Sequence, residues 1–221
     1  MRKKTKKNSE KPKQKTFRDF LNREVTINYP PKRVISIAPN ITEILFAIGL
    51  DEEIVGVTEF CDYPPEAKEK TKVGGYYNPS LEMIVSLKPD LVVAAADGPN
   101  EAHIAKLANL DVPCFVIKPR TIDEIIEAMN TLAEVTGKKD TAKKTIAKIK
   151  ERVDEVDRRV KSIPMEKRLK VFYALDHAEL WTTGKNTFVN DLIVRAGGIN
   201  IAGESNGWFK YSLESLVLKK P

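Results

Sequence analysis

Short apolar runs alternate with amphipathic stretches through the first half of the chain. Arg33-Val-Ile-Ser-Ile-Ala38 is brief, apolar and β-branched, as a strand buried on both faces of a parallel sheet should be. Ile54–Thr58, Asp90–Ala96 and Cys114–Ile117 repeat that pattern. Between them lie helix-like stretches. The first turns Ile44, Leu45 and Ile48 inward and stops at Gly49, with Asn40 placed to cap it and Glu43 to complete a capping box. Further helices are expected over 79–87 and 100–110, the latter carrying Ala102, Ile104, Leu107 and Leu110. Regular strand–helix alternation predicts a parallel sheet covered by helices, an α/β lobe over 17–122.

The pattern then changes. A helix opens at Thr121 and runs through Ile125, Met129, Leu132 and Val135 to Gly137. A longer one follows, from about Asp140 to Ile163, with Ala142, Ile146, Ile149, Val153, Val156 and Val160 spaced alternately four and three apart. That is one narrow apolar stripe on a charged rod of ~35 Å. A coiled-coil arm would read this way, but a strut in a helical linker over 123–163 explains a long helix between two α/β units better. After Pro164 the strand pattern restarts at Leu169–Leu175, with a short strand at Leu180–Thr183 and a helix over Thr187–Ala196 ended by Gly197-Gly198. Residues 164–221 are thus expected to form a second lobe.

The two halves share a sentence. Gly75-Tyr-Tyr-Asn-Pro-Ser-Leu-Glu-Met-Ile-Val-Ser-Leu-Lys-Pro89 returns as Gly207-Trp-Phe-Lys-Tyr-Ser-Leu-Glu-Ser-Leu-Val-Leu-Lys-Lys-Pro221, with seven of fifteen positions identical and two more aromatic in both. An aromatic pair leading into a short helix is therefore expected once per lobe, with a ligand cleft between the lobes. Copy one runs on into the strand at Asp90, whereas copy two stops at Pro221, so the second lobe is expected to be incomplete.

The formal charge of +6 on 221 residues suggests nucleic acid until it is located. Residues 1–16 carry eight Lys/Arg against Glu10, which leaves 29 basic and 30 acidic residues of the chain's 37 and 31 in the remainder. A basic, disordered tail on a near-neutral body does not make a phosphate-binding surface, and no nucleic-acid partner is expected. The tail resembles a signal's charged n-region, but no apolar stretch follows it, and nothing approaches the ~20 apolar residues of a membrane span. Cys61 and Cys114 lack the spacing of a zinc site or disulfide framework.

Candidate chemistry points to binding rather than catalysis. No nucleophile elbow, phosphate loop or metal-ligand spacing is present, so no enzyme, resident cofactor or bound metal is expected. His103 sits mid-helix as a surface or packing residue. Asp176-His177 follows a strand at the end where open α/β sheets bind ligands, and lines or caps a cleft more readily than it holds metal. Phe60, Tyr63, Tyr76, Tyr77, Trp181, Trp208 and Phe209 fall outside the periodic segments, among Pro, Gly, Asp and Asn. Tyr63 and Phe209 suit anchors packing on their own lobe. Tyr76 and Trp208, equivalent in the repeat, suit the walls of a flat, largely apolar ligand. Glu82 and Glu214 also share a repeat position. They are either solvated carboxylates favoured by the helix dipole or matched acidic knobs for a partner's arginines.

Arg33–Glu43, Cys61-Asp-Tyr-Pro-Pro-Glu-Ala67, Ser80–Val92 and the run from Gly184 to Ala196-Gly-Gly-Ile-Asn200 resemble the helical-backbone (class III) periplasmic substrate-binding proteins of ABC importers. Those carry cobalamin, ferric siderophores, haem and related chelates, and the Asp-Tyr-Pro-Pro segment most resembles the cobalamin branch. The resemblance implies two Rossmann-like α/β lobes with parallel sheets, joined by one long helix, and a chelate held between them by a monomer outside the cytoplasm. It also implies that Phe60, Tyr76, Trp181 and Trp208 wall the ligand; Pro39, Asn40, Tyr77, Asp176 and His177 are further candidate ligand contacts. Glu82 and Glu214 would dock on a permease dimer driven by its ATPases. The alternative is a two-lobe scaffold reused as a metal-binding enzyme or sensor through Asp176 and His177.

Overall fold

The computed structural model describes residues 13–96, 100–176 and 178–221. By backbone contacts the chain forms two units. One holds the residues up to Lys118 with Leu132–Lys139, the other Pro119–Thr131 with Asp140–Pro221.

The first unit opens on a hairpin, β1 (Lys13–Arg18) antiparallel to β2 (Glu24–Tyr29). In β2 the period is two: Val25 and Ile27 are buried while Glu24, Thr26 and Asn28 are exposed. Asp19, only 4% exposed, builds the turn. Its Oδ1 accepts from the Leu21 and Arg23 amides at 2.9 Å each, and its Oδ2 accepts from Arg23 Nη2 at 2.6 Å. The Phe20 amide donates to the Val116 carbonyl, fastening the hairpin to the body. The expectation of disorder through residue 16 is therefore corrected from Lys13 onward. Lys13, Lys15 and Thr16 lie in a paired strand, and Lys15 Nζ stands 3.5 Å from the centre of the Tyr29 ring. A lysine-rich stretch hides this because its partner, not its own pattern, makes it a strand.

Four parallel strands follow, β3 (Val34–Ser36), β4 (Ile54–Val57), β5 (Leu91–Ala95) and β6 (Cys114–Ile117), in the order β4-β3-β5-β6. Helices α1 (Pro39–Ala47), α2 (Leu81–Ser86) and α3 (Asn100–Asn109) connect them. Ile35, Ile37, Val73, Ile84, Val92, Leu107 and Val116 form one buried cluster. Because every strand points the same way, Ser36, Val57, Ala95 and Ile117 end at one edge. One local expectation fails. Helix α1 begins at Pro39 with Ala38 as its cap residue and no side-chain cap, so Asn40 and Glu43 do not form a capping box. Proline at the first helical position presents no amide there and presets φ for the helix.

Helices α4 (Ile122–Thr136) and α5 (Lys139–Lys161) come next, separated at Gly137, whose φ of +73° suits glycine. On the α5 stripe Ala142 and Ile146 are buried, whereas Val156 is exposed.

The second unit has less sheet. Parallel β7 (Lys170–Val171) and β9 (Ile199–Asn200) form one pair; antiparallel β8 (Trp181–Thr183) and β10 (Trp208–Lys210) form another. Helices α6 (Phe188–Arg195) and α7 (Leu213–Lys219) complete it. The strand expected over Leu169–Leu175 shrinks to two residues because its later backbone groups pair elsewhere. The Leu175 amide donates to the Trp181 carbonyl, and Thr182 Oγ1 donates to the Tyr173 carbonyl at 2.7 Å. Asn200 Nδ2 donates to the Thr183 carbonyl and to Asn190 Oδ1, tying β8, α6 and β9 together.

Candidate functional site

In the first unit the rim residues gather on loops after the carboxyl ends of β3 and β4. Strands β4 and β5 flank β3 on opposite sides, so the chain reverses direction of travel across the sheet there, the position at which open α/β sheets bind ligands. Pro39, half-buried, and Asn40, exposed, follow β3. Phe60 stands 62% exposed in a tight turn closed by the Cys61 amide donating to the Thr58 carbonyl. Tyr76 and Tyr77 sit in a second turn whose base is tied where Gly74 pairs with Pro79 and the Ser80 amide donates to the Val73 carbonyl. Their rings meet edge to face at 5.0 Å between centroids, with Tyr77 68% exposed. The Glu59 amide donates to the Gly74 carbonyl and so links the two aromatic turns. Lys72 Nζ donates to the carbonyls of Cys61 and Ala67, bracing the intervening loop. Tyr63 is exposed and does not anchor the loop by packing.

In the second unit the rim is a strand face rather than a turn. Trp208 and Lys210 alternate along β10 on one face, and Lys210 lies opposite Trp181 of β8 in register. Trp208, 47% exposed, meets Tyr173 edge to face at 5.9 Å. Glu179 Oε2 accepts from the Trp181 indole Nε1 at 3.2 Å and from Lys210 Nζ at 2.8 Å. That contact with Lys210 foremost, then the indole, holds the Glu179 carboxyl below its ordinary pKa. Phe209 turns to the other face, toward Tyr211, which itself packs on Phe172. The placement of Trp208 and Phe209 in a strand replaces the loop expected for them. Glu179, Lys210 and Tyr173 were not among the candidates, since only the long-range pairing of β8 with β10 assembles them around the tryptophans.

Asp176 serves local structure. Its Oδ1 accepts from the Ala178 and Glu179 amides at 2.7 and 2.8 Å, shaping the turn that delivers Glu179. His177 lies outside the described residues. Among those described, no group of three His, Cys, Asp or Glu could hold a metal ion. Cys61 and Cys114 are buried free thiols, and burial, foremost, pushes the Cys114 thiol up to about 12, which keeps it neutral. Glu82 and Glu214 stand exposed in the first turns of α2 and α7, capped by Ser80 and Ser212. Separate shallow hollows of about 430 and 550 Å³ border α6, and none of the candidate rim residues lines them. No described helix is long and apolar enough to cross a membrane.

The periplasmic binding protein family profile matches residues 34–219, a stretch that contains every rim residue named above. The chain belongs to this family. It is 30% identical over 210 residues to an uncharacterized ABC transporter substrate-binding lipoprotein, YvrC, of Bacillus subtilis, a match covering 93% of this chain and 67% of that one. To the vitamin B12-binding protein of Vibrio cholerae it is 29% identical over 194 residues, covering 87% and 69%. The crystal structure of periplasmic vitamin B12 binding protein BtuF of that organism superposes with a TM-score of 0.78 at 29% identity, covering 87% of this chain and 74% of its own. The periplasmic heme-binding protein RhuT of Roseiflexus superposes at 0.74 with 26% identity, covering 86% and 74%. These relatives are substrate-binding proteins, and the chain shares their α/β fold.

Proposed function

We propose that this chain captures a metal chelate, a cobalamin-type corrinoid or an iron complex such as haem, for an ABC importer. The family match over residues 34–219 carries the reading, because it spans both aromatic rims. The chemistry agrees with it. Phe60, Tyr76 and Tyr77 on one unit and Trp181 and Trp208 on the other present large, partly exposed rings, and each ring can bury 150–250 Å² against a flat macrocycle. Asn40, Glu179 and Lys210 supply polar groups for a chelate's edge. Rings held by paired backbone need little ordering on binding, which favours affinity without catalysis.

The protein acts outside the cytoplasm as a monomer. Glu82 and Glu214, exposed on capped helices that both open with Ser-Leu-Glu, orient it on arginines of a permease dimer with its ATPases. Titration of the chain with cyanocobalamin, haemin and a ferric hydroxamate, followed by visible absorption, should give one saturable site for one probe class. No saturable change with any of them would defeat the reading. Reversing Glu82 and Glu214 to Lys should weaken stimulation of the transporter's ATPase while leaving chelate binding intact.

A further inference from the structure

Beneath the first unit's rim lies a buried chain of small polar groups that ligand contact does not explain. Ser36, Thr42 and Thr58 are fully buried and Cys61 is 1% exposed, yet they come from four separate places: the end of β3, the first turn of α1 and both sides of the Phe60 turn. Ser36 Oγ donates to the Ala38 carbonyl at 3.1 Å, and Thr42 Oγ1 lies 2.8 Å from Ser36 Oγ. Cys61 Sγ stands 3.1 Å from Thr42 Oγ1 and 3.0 Å from Thr58 Oγ1. The thiol therefore joins the β3–α1 junction, which carries Pro39 and Asn40, to the turn that carries Phe60. An apolar residue at 61 would cut the link and leave the buried Thr58 hydroxyl without its thiol partner, at a cost of about 1–3 kcal/mol, while Thr42 Oγ1 keeps Ser36 Oγ and the Ala38 carbonyl at 3.2 Å.

We infer that Cys61, through Thr42 and Thr58, is the positioning residue that fixes Phe60 relative to Pro39 and Asn40 for ligand binding, an assignment that rests on the chelate-capture reading above. Cys61 touches no ligand itself. It acts by denying the two loops independent motion, so that ring and polar group meet a rigid chelate together. Lys72 reinforces it from the far side by holding the Cys61 carbonyl at 3.1 Å.

The test compares Cys61→Ala with Cys61→Ser, which keeps a hydrogen-bonding group, and with Thr42→Val, all in the full chain. Amide hydrogen exchange on the ligand-free proteins reads the coupling directly. Cys61→Ala and Thr42→Val should each speed exchange about tenfold at both the Thr42 and the Cys61 amides, and Cys61→Ser should restore most of the protection. Faster exchange confined to the mutated loop, or serine no better than alanine, overturns the coupling. In parallel, affinity for cyanocobalamin and haemin should fall about tenfold in Cys61→Ala and recover in Cys61→Ser. Unchanged affinity in Cys61→Ala, where Phe60→Ala loses binding, overturns the role in binding. Failure of the wild-type chain to bind either probe overturns the chelate reading and this role with it, while the exchange result still judges the coupling of the loops.

Discussion

The segments 75–89 and 207–221 share seven of fifteen residues and the same helix-end geometry, in very different surroundings. In both a serine opens the helix, Ser80 Oγ accepting from the Met83 amide and Ser212 Oγ from the Ser215 amide, each at 3.3 Å. In both a lysine leaves it left-handed, Lys88 at φ 48° and Lys220 at φ 45°. Even the end is matched from outside the repeat: Arg33 donates to the Leu87 carbonyl, and Lys170 donates to the equivalent carbonyl of Lys219. Cations at helix ends suit the dipole. Yet Ile84 of α2 is wholly buried in the four-stranded unit, whereas α7 buries no residue and leaves Leu213 63% exposed. The aromatic pair precedes α2 in a turn and α7 in a paired strand. Local sequence sets caps and handedness; the sheet beneath sets burial, and burial sets most of the energy.

The sharpest way to break this contrast is to truncate the equivalent residues Ile84 and Leu216. Ile84→Ala should destabilise the chain by about 3 kcal/mol, and Leu216→Ala, only half-buried, by about 1 kcal/mol, as read from urea unfolding followed at the first and second units separately. Equal losses would mean that α7 is packed as α2 is. The next test concerns the rims. Tyr76→Ala and Trp208→Ala should each weaken chelate binding by about 2 kcal/mol, roughly 30-fold, in a visible titration. A loss at Trp208 alone would place the ligand on the second unit. Smaller still are the caps. Ser80→Ala and Ser212→Ala should each cost about 1 kcal/mol or less, but the losses should show differently. With no buried side chain to hold it, α7 should fray, so exchange should accelerate at Ser215 and Leu216 and much less at Met83 and Ile84.

How much of this was legible follows from the range of the forces involved. The strands at Val34, Ile54, Leu91 and Cys114 declare themselves because each is apolar on both faces, a property that a linear pattern carries. The serine-capped helices declare themselves for the same reason. The hairpin from Lys13 does not, because its strand identity comes from pairing with β2 and from Asp19 binding Arg23 across the turn. Likewise Leu169–Leu175 looks like one strand, and only the competing claim of β8 on Tyr173 and Leu175 shortens it. Among the rim residues, aromatic loops among Pro and Gly stand out as candidates, and their family resemblance is in the sequence. The partners that fix them do not stand out. Cys61 reads as an ordinary thiol until Thr42 and Thr58 are seen beside it, and Glu179 reads as a surface charge until β10 brings Lys210 to the same oxygen.

The finest distinction between the rims is the carboxylate in the second unit, where Glu179 accepts from the Trp181 indole. Glu179 is solvent-exposed, so its pairing adds little to stability, but its geometry should be visible in the light emitted by Trp181. With its folded pKa held below the usual carboxylate value, Glu179 keeps its charge, and with it the indole contact, at neutral and mildly acid pH. The contact should be lost only as pH falls through that depressed value. In a Trp208→Phe background, where Trp181 is the remaining tryptophan, emission should therefore hold steady from pH 7 to about pH 5 and shift only below the ordinary glutamate range. Glu179→Gln should show the same small shift at pH 7 and no acid transition. An acid transition that persists in the glutamine variant would assign the signal to another carboxyl and remove Glu179 as the group that orients Trp181.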